Sequence, residues 1–278
     1  MQSYRPDWLN GKEIDIYIPE FNFAIEYNGT SFHHSSKSSF VDKYYLKTYK
    51  TNNYHFNKWK LCKDNNVTLL SIYDFYWIMP SKKSKYFSKI NHYLKLDSKI
   101  YSRKCILLEI NNKVAFDFYE DNHIEGAGFA YKDSKSYGLF YDDKLVMCAT
   151  IGDIYNQSSK SFKKKLHRIC TLQNTTIVGG ISKLVKFLKT TYGSFSYQIT
   201  LSSGGSTLGY FRDFKIIQPR YFWVNPNTLN YFHRNYCQKH LLEKHFQVPL
   251  ENSDTESTYM EKLGYLKVYD NGLSEIII

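Results

Sequence analysis

The stretch Ile14–His34, IDIYIPEFNFAIEYNGTSFHH, constrains this chain most. Asp15, Ile16, Tyr17 and Ile18 alternate, and Phe21, Phe23 and Ile25 form a second alternating apolar run, so two short strands are expected with a turn at Pro19–Glu20. Antiparallel pairing around that turn brings together the outer ends of the strands. Asp15 stands near the start of the first strand and Glu26 at the end of the second. Carboxylates placed in this way suit a divalent cation with oxygen ligands, and such cations activate water against phosphates. Asn28–Gly29 makes the next turn, and His33 and His34 follow it. A histidine beside a bound metal takes a proton from attacking water. The competing reading of the same residues is a surface hairpin with solvated acids.

The spacing Asp15, ten residues, Glu26, one residue, Asn28 resembles the PD-(D/E)xK nuclease signature, with Asn28 where many members carry lysine. The longer run, Asp15 through Glu26-Tyr-Asn28-Gly29 to Phe32-His33-His34, resembles the very-short-patch-repair (Vsr-like) endonucleases, and among them the phage homing endonucleases. The resemblance implies a site-specific DNA endonuclease that hydrolyses phosphodiester bonds with Mg²⁺. Asp15 then matches the metal-binding aspartate, Glu26 the second acidic position and metal ligand, and His33 the catalytic histidine. His55 falls near a further active-site group. Relatives carry a helix with a glutamate upstream of the hairpin, and only fourteen residues precede Asp15. That element is therefore expected to be missing or to come from a second protein chain.

The 278 residues suffice for two modest domains. A net charge of +11 favours an anionic partner, and the 26 Tyr and 19 Phe interleaved with Lys and Asn fit double-stranded DNA better than a membrane. The five cysteines show no C-x-x-C spacing, which argues against a zinc site or a disulfide framework and for a reducing cytoplasm, that of the host cell if the gene is phage-borne. No apolar run approaches a membrane span, and no signal peptide is visible.

One helix is expected over residues 40–65, rich in lysine, with Lys58 among those facing the DNA backbone. A buried strand, Val67–Tyr73, closes on Asp74. Residues 80–89 form a lysine-serine segment that reads as a linker or as the start of a short helix ending near Leu96, and a boundary falls at Asp97–Ser98. The second half then runs through a strand at 104–109, a helix at 112–122 and a hairpin at 137–150. A strand at 166–171, a helix opened by Gly179–Gly180, a strand at 197–201, a short helix at 206–214 and a strand at 221–224 follow. That order resembles GNAT-type acetyltransferases, in which a glycine-opened helix N-terminus binds the pyrophosphate of acetyl-CoA. Val178-Gly-Gly-Ile-Ser182 stands in for the family's fuller glycine motif, and the plain alternative is a helix starting in tight space. The pieces Asn122-His-Ile-Glu-Gly126, Gly138-Leu-Phe-Tyr141 and Gly179-Gly-Ile-Ser-Lys-Leu184 also resemble the C-terminal region of the phage enzymes.

Tyr231–His245 reads as a basic aromatic helix, with Arg234, Lys239 and Lys244 as DNA contacts. A closing hairpin is expected from Tyr265–Tyr269 and Ile276–Ile278 around Asn271–Gly272. The expected fold is mixed α/β (α+β). A restriction-endonuclease-like nuclease core spans 1–97, a GNAT-like domain 98–225, and a DNA-contacting tail 226–278. The leading expectation is a homing endonuclease. The alternatives are a nuclease-dead DNA-binding remnant and a GNAT-type acyltransferase.

Overall fold

The computed structural model describes residues 1–128, 133–156, 161–204, 215–217 and 219–278. The fold is mixed α/β. The chain forms two compact units that interleave in sequence: Met1–Met79 with Thr200–Ser206 and Ile216–Leu273, and Pro80–Ile199 with Thr207–Lys215 and Ser274–Ile278. Most of the tail from 226 onward thus belongs with the N-terminal segment.

In the first unit, β1 (Gln2–Tyr4), β2 (Ile14–Ile18), β3 (Phe23–Asn28) and β4 (Thr68–Tyr73) form a sheet in that order. β2 and β3 are antiparallel, with Ile16 opposite Ile25 and Ile18 opposite Phe23. Their turn is a 3₁₀ turn, Pro19–Phe21, closed by Asn22 in the left-handed region. β3 and β4 are parallel, so the chain must cross over between them. Helix α2 (Tyr54–Asp64) lies on that crossover and buries His55, Lys58, Trp59 and Cys62, the i, i+3, i+4, i+7 stripe of one helix face.

The single helix expected over 40–65 is instead two, α1 (Lys43–Leu46) and α2. Between them the polar groups bond elsewhere: Lys50 N–H donates to His34 O at 2.6 Å, and the Thr48 hydroxyl to Ser31 O at 2.6 Å. These bonds tie the segment to the histidine loop.

The same unit holds an antiparallel sheet of Tyr231–His233, Tyr221–Val224 and Leu266–Tyr269. Phe222, Val224 and Val268 pack with Tyr73 and Phe75. Trp223 packs with Cys237, Leu242, Tyr259 and Met260. The helix expected over Tyr231–His245 is a strand, two 3₁₀ turns (Arg234–Cys237 and Lys239–Leu241) and a short helix, Leu242–Phe246. Ladder pairing of Tyr231, Phe232 and His233 with Val224, Trp223 and Phe222 holds the start extended. The closing hairpin does not form either. Leu266–Tyr269 pairs with Tyr221–Val224, while Leu273–Ile277 joins the large sheet.

Six strands of that seven-stranded sheet run in the order Leu273–Ile277, Ser196–Thr200, Ser161–Thr171, Lys144–Asn156, Ser134–Tyr141, Ile106–Ile110. Asp142 and Asp143 both adopt positive φ, 47° and 58°, which is what a two-residue hairpin turn between right-twisted strands requires. Helix Asn112–Asn122 falls where the sequence predicts it, capped by the Asn111 side chain, and buries Ala115, Phe118 and Tyr119. Helix Gly180–Tyr192 enters from Gly179 in the left-handed region and buries Leu184, Val185 and Leu188. Of the two expectations after Pro80, a linker or a short helix ending near Leu96, the structure shows the helix, Pro80–Tyr93. The short helix expected at 206–214 lies outside the described residues. Among the described residues no helix is long and apolar enough to cross a membrane.

Candidate functional site

The first unit brings most of the expected site residues together. The Asp15 carboxylate accepts the Tyr27 backbone N–H at 2.6 Å, which places it across from the outer end of β3. Glu26 is buried on the sheet face covered by α2 and forms an ion pair with Lys58, whose side chain is 3% exposed. Burial pushes the Glu26 carboxyl up to about 7; the Lys58 charge opposes this and the Asp15 charge adds to it. The His33 and His55 rings lie 5.1 Å apart. Burial, then the neighbouring positive charges, pulls His33 down to about 2. Burial pulls His55 down to about 3, against a hydrogen bond to the His33 backbone. Both rings are therefore neutral at pH 7. His34 turns the other way, its Nε2 2.9 Å from Tyr45 O.

Asp74 anchors the loop that carries the histidines. It accepts Thr30 N–H and the Thr30 hydroxyl, each at 2.6 Å, and Phe75 N–H at 2.7 Å. Asn271 fastens the helix side, donating to His55 O at 3.1 Å. Within this frame Glu26 Oε2, both amide atoms of Asn28, His33 Nδ1 and His55 Nε2 are buried without a hydrogen-bond partner among the described residues. Such a concentration is unusual, because buried polar groups are normally paired.

The donor set does not fit a resident magnesium ion. An ammonium already sits on Glu26, and among the described residues no group of three His, Cys, Asp or Glu side chains is placed to hold a metal. Lys58, expected to face DNA, is instead inside the helix–sheet interface, because it lies on the same α2 stripe as Trp59 and Cys62. Arg234, Lys239 and Lys244 are exposed, on turns and a short helix rather than along one continuous helix. The Arg234 guanidinium lies 5.4 Å over the Tyr221 ring.

The second unit contains a cavity of about 290 Å³ between helix Asn112–Asn122 and the sheet. Phe116, Tyr119, Ser136, Thr150, His167 and Arg168 are among its lining residues. Hydroxyls join across it: Tyr119 to Thr150 at 2.8 Å, Ser136 to Thr150 at 2.7 Å. The strands meet there with a shift in register. Thr150 pairs with Arg168 but Ile151 with Leu166, so His167 is the extra residue of a β-bulge. Neighbours on a regular strand point to opposite faces. The bulge lets His167 and Arg168 line one cavity. Burial, then the charges of Lys165 and Arg168, lowers His167 to about 4. The sequence reading passed over this group because His167 and Arg168 look like ordinary alternation within a strand, and a bulge leaves no mark in composition.

No protein-family model matches the chain, and no curated protein matches it. Among solved structures, it is similar to an IAA acetyltransferase from Bacillus cereus, at 11% identity and a TM-score of 0.34, over 63% of this chain and 99% of that one. It is also similar to a malonyl-CoA decarboxylase from Cupriavidus metallidurans, at 9% identity and a TM-score of 0.25, over 36% of this chain. The match spans about a third of the decarboxylase, 31% of its length. Neither of these structures is a DNA endonuclease, the activity that the sequence resemblance implied, and the assignment of the chain as a homing-type endonuclease is withdrawn.

Proposed function

We propose that the chain is a GNAT-type acyltransferase, which moves an acyl group from an acyl-CoA thioester to an acceptor. One observation carries the reading. Strand Ser196–Thr200 runs parallel to Ser161–Thr171, yet the two register only at Ser196 with Lys165 and Tyr197 with Leu166. The connection between them runs through strand Thr175–Val178 and helix Gly180–Tyr192, the helix entered through Gly179 at φ 77°. A parallel pair that meets over two residues leaves its remaining backbone groups available to a ligand, and a helix entered through glycine aims N–H groups at an anion. Charge supports the same unit: it holds 22 Lys and Arg against 12 Asp and Glu, which suits the phosphates of CoA. In the transfer, the acceptor's lone pair attacks the thioester carbonyl carbon, the C–S bond breaks, and CoA leaves as the thiolate while the acceptor loses a proton.

Calorimetry with acetyl-CoA tests this. Saturable binding that weakens in Gly179→Val, a change strained at positive φ, is the expected result. No heat of binding at millimolar acetyl-CoA removes the reading.

A second reading concerns the first unit alone: a DNA-binding remnant of a Vsr-like arrangement that does not cut. The Lys58–Glu26 ion pair favours it, since the ammonium occupies the carboxylate that a catalytic cation would need. The expected outcome is a gel shift of duplex DNA with no change in plasmid topology when Mg²⁺ is added. Absence of any shift would remove this reading.

A further inference from the structure

We propose that the cavity behind helix Asn112–Asn122 binds a small organic anion, a carboxylate with an apolar body, through Arg168. Three observations converge. Among the described residues the lining contains Lys113, His167 and Arg168 but no Asp or Glu. Lys113 pairs with Asp117 on the surface at 2.6 Å, so its charge is already met. The Arg168 guanidinium donates only to carbonyls, Gly126 O at 3.2 Å and His167 O at 3.1 Å, and among the described residues no carboxylate pairs with it. A guanidinium so placed keeps donors for a planar carboxylate, which it binds in fork geometry.

The cavity is also shaped around this group. A Cβ on Gly128 would come within 2.9 Å of Arg168 Nη2, and one on Gly152 within 2.8 Å of His167 Nε2. Glycine at both positions leaves room for the bulged pair to face inward. Ala115, Phe116 and Ala127 supply an apolar wall, and the hydroxyls of Ser136 and Thr150 stand opposite. The volume, about 290 Å³, admits a single ring with a short acidic arm. On the acyl-transfer reading the acceptor is an amine or hydroxyl carried on the apolar body of this anion, which attacks the thioester and loses its proton while Arg168 holds the carboxylate; the inference rests on that reading only for the role, not for the binding.

The test is calorimetry of the full chain with phenylacetate, phenylacetamide and phenethylamine, which share a ring and differ in charge. Phenylacetate should bind saturably and at least about tenfold more tightly than the amide, the scale of a charge-assisted pair, with no binding of the amine. Arg168→Gln should abolish the preference for phenylacetate, while Lys113→Gln should leave affinity within about twofold. Equal binding of acid and amide, preference for the amine, or no binding of any of the three by the wild-type chain overturns the proposal, whatever the stability of the variants. Acetyl-CoA is titrated separately. Phenylacetate binding without acetyl-CoA binding keeps the anion site and removes the acyl-transfer reading; the converse removes the site and keeps the reading.

Discussion

At the residue scale the molecule stores its most unusual chemistry in Glu26 and Lys58. Removing one partner of a buried ion pair strands the other, at a cost of about 3–5 kcal/mol. Lys58→Met should therefore lower the urea midpoint strongly, and no change would mean that the pair is not buried in solution. The pH dependence has a definite sign. The Glu26 carboxyl is raised from 4.5 to about 7 in the folded chain, so its contribution to stability is full below pH 4.5 and is lost as pH rises through 7. His33 and His55 work the other way: their folded values lie below the ordinary 6.5, so their contribution is present above pH 6.5 and is lost on acidification. The stability gap between the wild type and Glu26→Gln should accordingly narrow as pH rises from 4.5 to 7. A widening gap in urea titrations would refute the assignment. The meeting of Asp15 with the end of β3 was legible in the sequence, because period-two alternation and a short turn leave one register. The burial of Lys58 was not. A lysine reads as solvated unless its unseen partner across the sheet is known, and Glu26 lies 32 residues away.

At the scale of elements, each success and failure has a physical cause. Helix Asn112–Asn122 was legible because cap and apolar spacing agree. The strands Leu266–Tyr269 and Leu273–Ile277 were legible as strands but not as members of different sheets, since alternation records a buried face and not a neighbour. The Tyr231–His245 segment failed because its aromatic residues fit a pleated ladder as well as a helix face. The histidine loop is held largely by bonds that no periodic pattern reveals, above all those of Asp74 to Thr30. Asp74→Ala should leave the Thr30 and Phe75 N–H groups buried and unpaired, costing about 2–4 kcal/mol. Hydrogen exchange should accelerate over residues 29–36 while the amides of α2 keep their protection. Acceleration spread evenly over the unit would show that Asp74 supports the whole sheet and not the loop.

At the scale of the whole molecule, charge is segregated. The first unit is nearly balanced, with 15 Lys and Arg against 14 Asp and Glu, so nearly all of the excess positive charge lies in the second. Two scales of electrostatics then compete for a polyanion. At low salt, where the screening length exceeds its physiological value of about 8 Å, attraction follows net charge and favours the second unit. Contact at shorter range follows local charge, and Arg234, Lys239 and Lys244 are exposed on successive turns and a short helix of the first. At low salt the long-range term dominates encounter, so a duplex of random sequence should protect amides of the second unit, notably strand Ser161–Thr171 with its run Lys163, Lys164 and Lys165. Protection should fade as salt rises, because each phosphate contact releases counterions. Hydrogen exchange with and without duplex, at about 50 and 200 mM salt, separates the cases. Protection confined to residues 231–246 and persisting at the higher salt would mean that local charge outweighs net charge. The DNA-facing surface would then lie on the balanced unit, leaving the excess charge of the other for CoA phosphates or small anions.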